Sequence, residues 1–438
     1  MHQYQLFLFA AVASAAPSQQ KTDKYVSMPI LFKYGNYPRI SADIKWGTPA
    51  QTPVSAVVDT GSAGFWVYGP NSTINDGSNY LFVPGPCNKS VQNFYNWPAS
   101  SSAKNKKPAN LAYAYGGNGK IVSGGATIVD SMSFTNDKWP AIVSQKVGLA
   151  NHTLVKQLDQ DCRIPESSFD HSILGLAPPK KGLIGVSPSF RTDLAARTSV
   201  SSVFSMWFDR APAAANGTFQ GTLLLGALPP KSKYSGDLVG IKVDPPENTY
   251  LGYYVSAPTV SVAHVSKPKS TAKKIKSSDA SVKRCFVDSG TGEDGLAIDE
   301  DAFLSASGLI KYNIDDQLFI AYNGTCDNIP RNATIDFSFP AVKGGVATVK
   351  IPLRNYARGS LDEMEGADKN VCGLSMTLGN SDCVLGAPFF SGAMLAFGDN
   401  PTQVAIAQGG VSKGAQKGPS GIEKVKVVSK GQKLLDVI

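Results

Sequence analysis

The stretches Val57-Val58-Asp59-Thr60-Gly61-Ser62 and Phe286-Val287-Asp288-Ser289-Gly290-Thr291 have the same reading: two apolar residues, Asp, a hydroxyl residue, Gly, a second hydroxyl residue. An apolar pair running into a carboxylate is the end of a buried strand, and the Gly after it permits a tight turn or a close approach of backbone. A lone Asp-Thr-Gly is usually a turn. A second copy makes the string an internal repeat and suggests two matching half-sites. If the two halves face each other, their carboxylates share one proton, because two like charges a hydrogen bond apart do not both ionise easily.

The residues around the two strings resemble the pepsin family of aspartic proteases. Gly47-Thr48-Pro49-Ala50-Gln51 precedes the first Asp, and Phe65-Trp66-Val67 follows it. Tyr115-Gly116-Gly117-Asn118-Gly119 is similar to the flap, a hairpin whose Tyr closes over substrate. Phe169-Asp170-His171-Ser172-Ile173-Leu174-Gly175-Leu176-Ala177 resembles the hydrophobic-Gly segment of the first lobe, and Val384-Leu385-Gly386 with Pro388-Phe389-Phe390 resembles its partner in the second. The similarity runs from about Tyr25 to about Gly410 and is nearest to secreted fungal members.

That resemblance implies the roles of the site. Asp59 and Asp288 would form the catalytic dyad, one charged and one protonated around a water. Thr60 and Ser289 would bond across to the opposite lobe's backbone, while Gly61 and Gly290 allow the loops to approach. Ser62 and Thr291 would donate to the outer carboxylate oxygens. Tyr115 and Gly116 would form the part of the flap that covers substrate, with the Tyr115 hydroxyl bonded to Trp66. The substrate would be polypeptide, cut by an endopeptidase, and no cofactor or metal is implied.

Length and composition agree with this. A chain of 438 residues is too long for one modest core and suits two lobes. Abundant Gly and Pro, with many short Val/Ile/Thr/Tyr-rich runs such as Ala126–Val129 and Thr222–Leu225, predict a mainly β protein, bilobal with a cleft. The expected lobes are residues 25–228, with the flap, and 229–410. Helical pattern is confined to Ser187–Thr198 and Asp299–Ser307, the latter with Asp299 as its cap. The histidines His2, His152, His171 and His264 lie in unrelated settings, without metal-ligand spacing. Neither a phosphate-cradling Gly loop nor a Gly-x-Ser-x-Gly nucleophile elbow occurs.

Met1–Ala16 reads as a signal peptide, with apolar Leu6–Val12 and small Ala13-Ser14-Ala15. Residues 17–24 leave no room for a long basic prosegment before Tyr25. The sequons at Asn71, Asn88, Asn151, Asn216, Asn323 and Asn332 fit an exported glycoprotein, expected to be secreted and monomeric. Six cysteines in such a chain should pair, with fifteen connectivities open to the sequence alone. Cys87 and Cys162, both in the first lobe, are expected to join. The resemblance places Cys326–Cys372 at the family's second-lobe bridge. It also sets Cys285 and Cys383 on neighbouring strands, each three residues before a motif residue.

The formal charge of +8 is concentrated in two places. Residues 264–284 hold seven Lys/Arg against one Asp, and residues 411–438 hold six Lys against two acids. Both read as flexible, solvated additions, an insertion and a tail, dispensable for cleavage but suited to anionic cell walls or membrane surfaces. Nucleic acid is not expected, since no aromatic residues interleave with the lysines. Two departures from the family pattern stand near the site. Gly292-Glu293-Asp294 replaces an apolar continuation, and Ala387 replaces an Asp after Leu-Gly. Glu293 and Asp294 would be either a solvated turn or added charge raising the dyad's upper pKa. The same departures keep a second reading open, a catalytically impaired protein of this fold that binds peptides or another enzyme.

Overall fold

Runs of alternating or continuous apolar residues become strands because their backbone groups pair while their side chains fill a core on one or both faces. The computed structural model describes residues 24–34, 38–78, 83–115, 119–134, 142–155, 171–178, 189–212, 217–245, 252–314, 317–360, 368, 370–412 and 425–438. The signal peptide, Gly116 and Cys162, and with it the Cys87–Cys162 pairing, lie outside the described residues.

The protein is mainly β, as its sequence predicts. One large sheet carries the first lobe and runs on into the second. Its central platform is antiparallel, in the order Ser235–Ile241, Thr402–Gln408, Ala393–Asp399, Phe204–Phe208, Gly217–Leu225, Val26–Tyr34. The lobes meet where Phe204–Met206 pairs with Leu395–Phe397. Aromatic rings reinforce the seam, Phe204 stacked on Phe397 at 4.7 Å and Tyr253 tilted against Phe397 at 4.6 Å between centroids. The buried Arg191 guanidinium donates to the Tyr253 hydroxyl at 3.1 Å and pairs with Asp399 at 2.9 Å, tying helix α1 (Phe190–Arg197) of the first lobe to second-lobe residues.

Both predicted helices form, shorter by a few residues at the first. Ser189 caps α1, and Asp299 Oδ1 accepts from Ala302 N at 2.9 Å at the start of α2 (Glu300–Ser307). A third helix, α3 (Ala387–Gly392), has no polar face because every residue in it is buried. It therefore lacks the 3.6-residue alternation by which a sequence announces a helix. Cys285–Cys383 and Cys326–Cys372 are both bridged, with Cα atoms 4.4 Å and 4.9 Å apart. The first follows from parallel pairing of Phe286 with Val384, which places the preceding cysteines side by side.

The two basic segments are ordered where described, contrary to the expectation of flexibility. In the insertion, Lys273–Lys274 adds an edge strand to Thr259–Val262, and Val265 and Ile275 are buried in the core. Lysine abundance hid these two apolar anchors. The tail is held more firmly still. Lys426–Val427 pairs with Ala227–Leu228, Val428 N donates to Gly226 O at 2.9 Å, and Val428 and Leu434 are fully buried. They cover Trp207, Leu224, Met394 and Ala405 on one face of the platform. The alternation of Val and Lys in Val425–Val428 is a strand pattern that a count of charges overlooks.

Burying two such side chains stabilises by about 3–6 kcal/mol in all. Removal of residues 425–438 is therefore expected to lower the thermal midpoint by about 5–10 °C and to raise binding of an apolar dye. An unchanged midpoint would mean that the tail does not support the platform.

Candidate active site

Each Asp stands at the end of a strand that is paired, in parallel, with a hydrophobic-Gly strand. Val54–Asp59 lies beside Ser172–Gly175, with Asp59 opposite Gly175, and Arg284–Val287 lies beside Val384–Leu385. Val54, Ala56, Val57, Val58, Cys285 and Val287 are buried, so the apolar runs that define the motifs are what fix the carboxylates in place. The turns after them are matched atom for atom. Gly61 N and Ser62 Oγ donate to the Asp59 carboxylate at 2.8 and 2.5 Å. Gly290 N and Thr291 Oγ1 donate to that of Asp288 at 2.9 and 2.6 Å.

The half-sites are locked together by crossed bonds. Thr60 Oγ1 donates to Val287 O at 2.8 Å and accepts from Ser289 N at 2.9 Å. Ser289 Oγ donates to Val58 O at 2.6 Å and accepts from Thr60 N at 3.0 Å. Serine in place of threonine thus costs this arrangement no hydrogen bond. The glycines are needed for the approach itself. A Cβ on Gly61 would stand 2.4 Å from Asp288 Oδ1, and one on Gly290 2.5 Å from Asp59 Oδ1.

The carboxyl groups of Asp59 and Asp288 are brought together by the two turns, close enough for each to act on the other's charge. Asp59 is only 5% exposed, whereas Asp288 is partly open to solvent. Burial, and then the charge of Asp288, hold the Asp59 carboxyl well above the usual carboxylate range; Ser62 and Gly61 pull the other way. A pair in which one member keeps its proton while the other is charged can give and take protons at one point in space.

Beside the pair, Trp66 Nε1 donates to the Tyr115 hydroxyl at 2.6 Å, as the resemblance implied. A residue not singled out from the sequence supports this contact. Lys120, 3% exposed, pairs with Tyr115 across the hairpin and places its ammonium 5.1 Å from the centre of the Trp66 ring. Its Nζ also donates to His171 O at 3.3 Å. The signal available was its place one residue after the hairpin glycine, where it faces Tyr115. Among the described residues, no cluster of His, Cys, Asp and Glu could hold a metal ion.

The departures are built into the second lobe. Ala387 opens α3 and donates its N–H to Thr291 O at 2.8 Å. Asp294 is not a solvated turn but fully buried, accepting from Tyr356 Oη and from Gly386 N, each at 2.6 Å. Glu293 is also largely buried, and burial raises its carboxyl.

Sequence and structure comparisons lead to one family. The family described as eukaryotic aspartyl protease matches residues 40–409, so the chain belongs to it. Cathepsin D of Chionodraco hamatus is 30% identical over 232 residues, covering 53% of this chain and 48% of that protein. Aspartic protease 17 of Caenorhabditis elegans is 29% identical over 192 residues, 43% of each chain. The matched stretches thus span about half the length of these curated relatives. The crystal structure of aspartic proteinase from Irpex lacteus shares the fold, with a TM-score of 0.57 and 18% identity over 89% of this chain and 98% of that one.

Removing the Ser289 hydroxyl leaves Val58 O and Thr60 N buried without that partner, at about 1–3 kcal/mol each. Ser289→Ala should accordingly lose about 2–5 kcal/mol of stability in chemical denaturation, and Ser289→Thr much less. Equal behaviour of the two variants would show that the crossed bonds do not hold the halves together.

Proposed function

We propose that this chain is an exported aspartic endopeptidase that hydrolyses peptide bonds at acid pH through Asp59 and Asp288. The observation carrying this reading is the pair of carboxyl groups brought together by two equivalent, cross-bonded turns. The charged carboxylate of the pair takes a proton from a water as that water attacks the carbonyl carbon of the substrate. The protonated one gives its proton to the carbonyl oxygen, and a gem-diol forms without a covalent link to the enzyme. Proton transfer to the amide nitrogen then lets the C–N bond break. Gly61, Ser62, Gly290 and Thr291 keep the outer oxygens oriented, and Tyr115, held by Trp66, covers the bond being cut. Against the alternative of a non-cutting binder stands the accommodation of Asp294 and Ala387 behind the dyad, with the hydrogen bonds of both turns intact.

Export is supported by the apolar N-terminal run, by the two disulfides, and by exposure of the sequon residues Asn71, Asn88, Asn151, Asn323 and Asn332; Asn216 lies outside the described residues. The decisive assay is cleavage of denatured globin at acid pH, with and without a statine-type transition-state mimic. Asp59→Asn and Asp288→Asn should each lower kcat at least a thousandfold with the fold retained. A well-folded variant of either kind keeping a tenth of the activity would remove the dyad assignment. Because the Asp59 carboxyl is raised, the shared proton persists through the acid range and is lost as pH rises past its folded value, so activity should fall on the alkaline side.

The basic insertion supports a proposal about location. Lys267, Lys269, Lys273, Lys274, Lys276 and Lys283 are exposed on an ordered ledge, and none forms an ion pair among the described residues. Such a ledge would retain the enzyme on anionic wall polymers or membrane surfaces, by contacts that salt screens over about 8–10 Å. Replacing these lysines by glutamine should abolish salt-sensitive retention on a polyphosphate column while peptide cleavage stays within about twofold. Retention unaffected by the substitutions would sink the proposal.

A further inference from the structure

The two hydrophobic-Gly segments are held differently, and the difference falls on a group that titrates. In the first lobe, Gly175 N donates at 2.9 Å to the backbone carbonyl of Gly64, five residues after Asp59. In the second, Gly386 N donates to a side chain, Asp294 Oδ1, six residues after Asp288. Both glycines are closely packed. A Cβ on Gly175 would meet Gly64 O at 2.5 Å, and one on Gly386 would meet Glu293 O at 2.1 Å. Gly386 follows Leu385, whose carbonyl accepts from Asp288 N at 3.0 Å, and precedes Ala387, which binds Thr291 O. What holds Gly386 therefore holds both sides of the Asp288 turn.

We propose that Asp294 is a positioning residue for Asp288, a buried latch that fastens the second catalytic turn by accepting from Gly386 N, and whose ionisation sets a buried charge behind that turn. A peptide carbonyl in the equivalent place of the first lobe has no such second state. Burial pushes the Asp294 carboxyl up to about 7, against the pull of Tyr356 Oη and the amides of Gly386 and Phe389.

The Tyr356 hydroxyl and the amides of Gly386 and Phe389 favour the anion, but burial outweighs them and the remaining neighbours add no compensating positive charge. Glu293 on its own loop adds like charge, and Asp288 lies further along that loop. The parallel neighbour Met376–Leu378, the antiparallel neighbour Val384–Leu385 and α3 bring no ionisable side chain. The turn Leu353–Tyr356 brings Tyr356 and Arg354, and the latter directs its guanidinium to Asp327. Arg358, on the next strand, acts on Glu293.

The sign follows from linkage. A carboxyl whose folded value is raised binds a proton that the unfolded chain has released. Its contribution to stability is full below about 4 and is lost as pH rises through about 7. Under acid conditions the latch is uncharged; near neutrality a buried anion forms behind Asp288.

The test compares wild type with Asp294→Asn and Asp294→Ala between pH 4.5 and 8, by thermal unfolding and by peptide cleavage. Asparagine keeps the acceptor for Gly386 N and cannot ionise. Its acid kcat should stay within about threefold of wild type, its alkaline limb should move upward, and its midpoint should fall less between pH 5 and 7.5. Alanine removes the acceptor and should lower acid kcat at least tenfold with little change in KM. Parallel pH profiles of wild type and Asp294→Asn, in both measurements, would overturn the latch, as would full acid activity of Asp294→Ala. The kinetic arm rests on the proposed protease activity. The thermal arm does not, so a wild type without proteolysis would refute that function while the unfolding profiles still decide on Asp294.

Discussion

The site depends on four hydrogen bonds that cross between two turns. Thr60 and Ser289 each donate a hydroxyl proton to a backbone carbonyl beside the opposite Asp and accept from the opposite backbone amide. Both side chains are fully buried, so no water competes for these bonds and none of the four groups has a cheap alternative partner. This forces the strand ends into one geometry and brings two carboxyl groups together that would otherwise repel. Elsewhere the molecule supplies what such a junction requires: rigid strands leading into it, glycines where the turns touch, and a continuous sheet that keeps the lobes from drifting apart.

Charge at the site is regulated by contrast between environments rather than by added cations. Asp59 is nearly excluded from solvent and Asp288 is not, though their immediate donors are the same in kind. Unequal burial places two chemically identical groups in different surroundings. Lys120, the buried cation of the neighbouring hairpin, is turned toward the Trp66 ring and acts on the flap tyrosine through that ring.

Much of this was legible in the chain because the motif residues act locally. Asp59, Gly61 and Ser62 are bonded within three residues of one another, as are Asp288, Gly290 and Thr291, so spacing alone reports the geometry. The equal offsets of Cys285 and Cys383 likewise translated directly into a parallel register. What the chain concealed was set by distant partners. Asp294 looks like a polar turn residue until Gly386 and Tyr356 arrive from 92 and 62 residues away. The basic segments look soluble by composition, yet Ile275, Val428 and Leu434 find cover that only the assembled sheet provides. α3, apolar on every side, carries no period to read.

The seam of the platform also bears on when, during synthesis, the site can be assembled. The first strand, Val26–Tyr34, must wait for Gly217–Leu225, and Phe204–Met206 must wait for Leu395–Phe397. Pairings so far apart in sequence are slow to close, since the loop entropy is met before the contacts form. Emerging from the ribosome, the chain thus completes its sheet only once Ala393–Asp399 and Thr402–Gln408 are available. Until then Asp59 has no partner carboxyl held in register, and the nascent chain holds half of a site. The order in which its strands become available thus leaves the complete carboxyl pair until late.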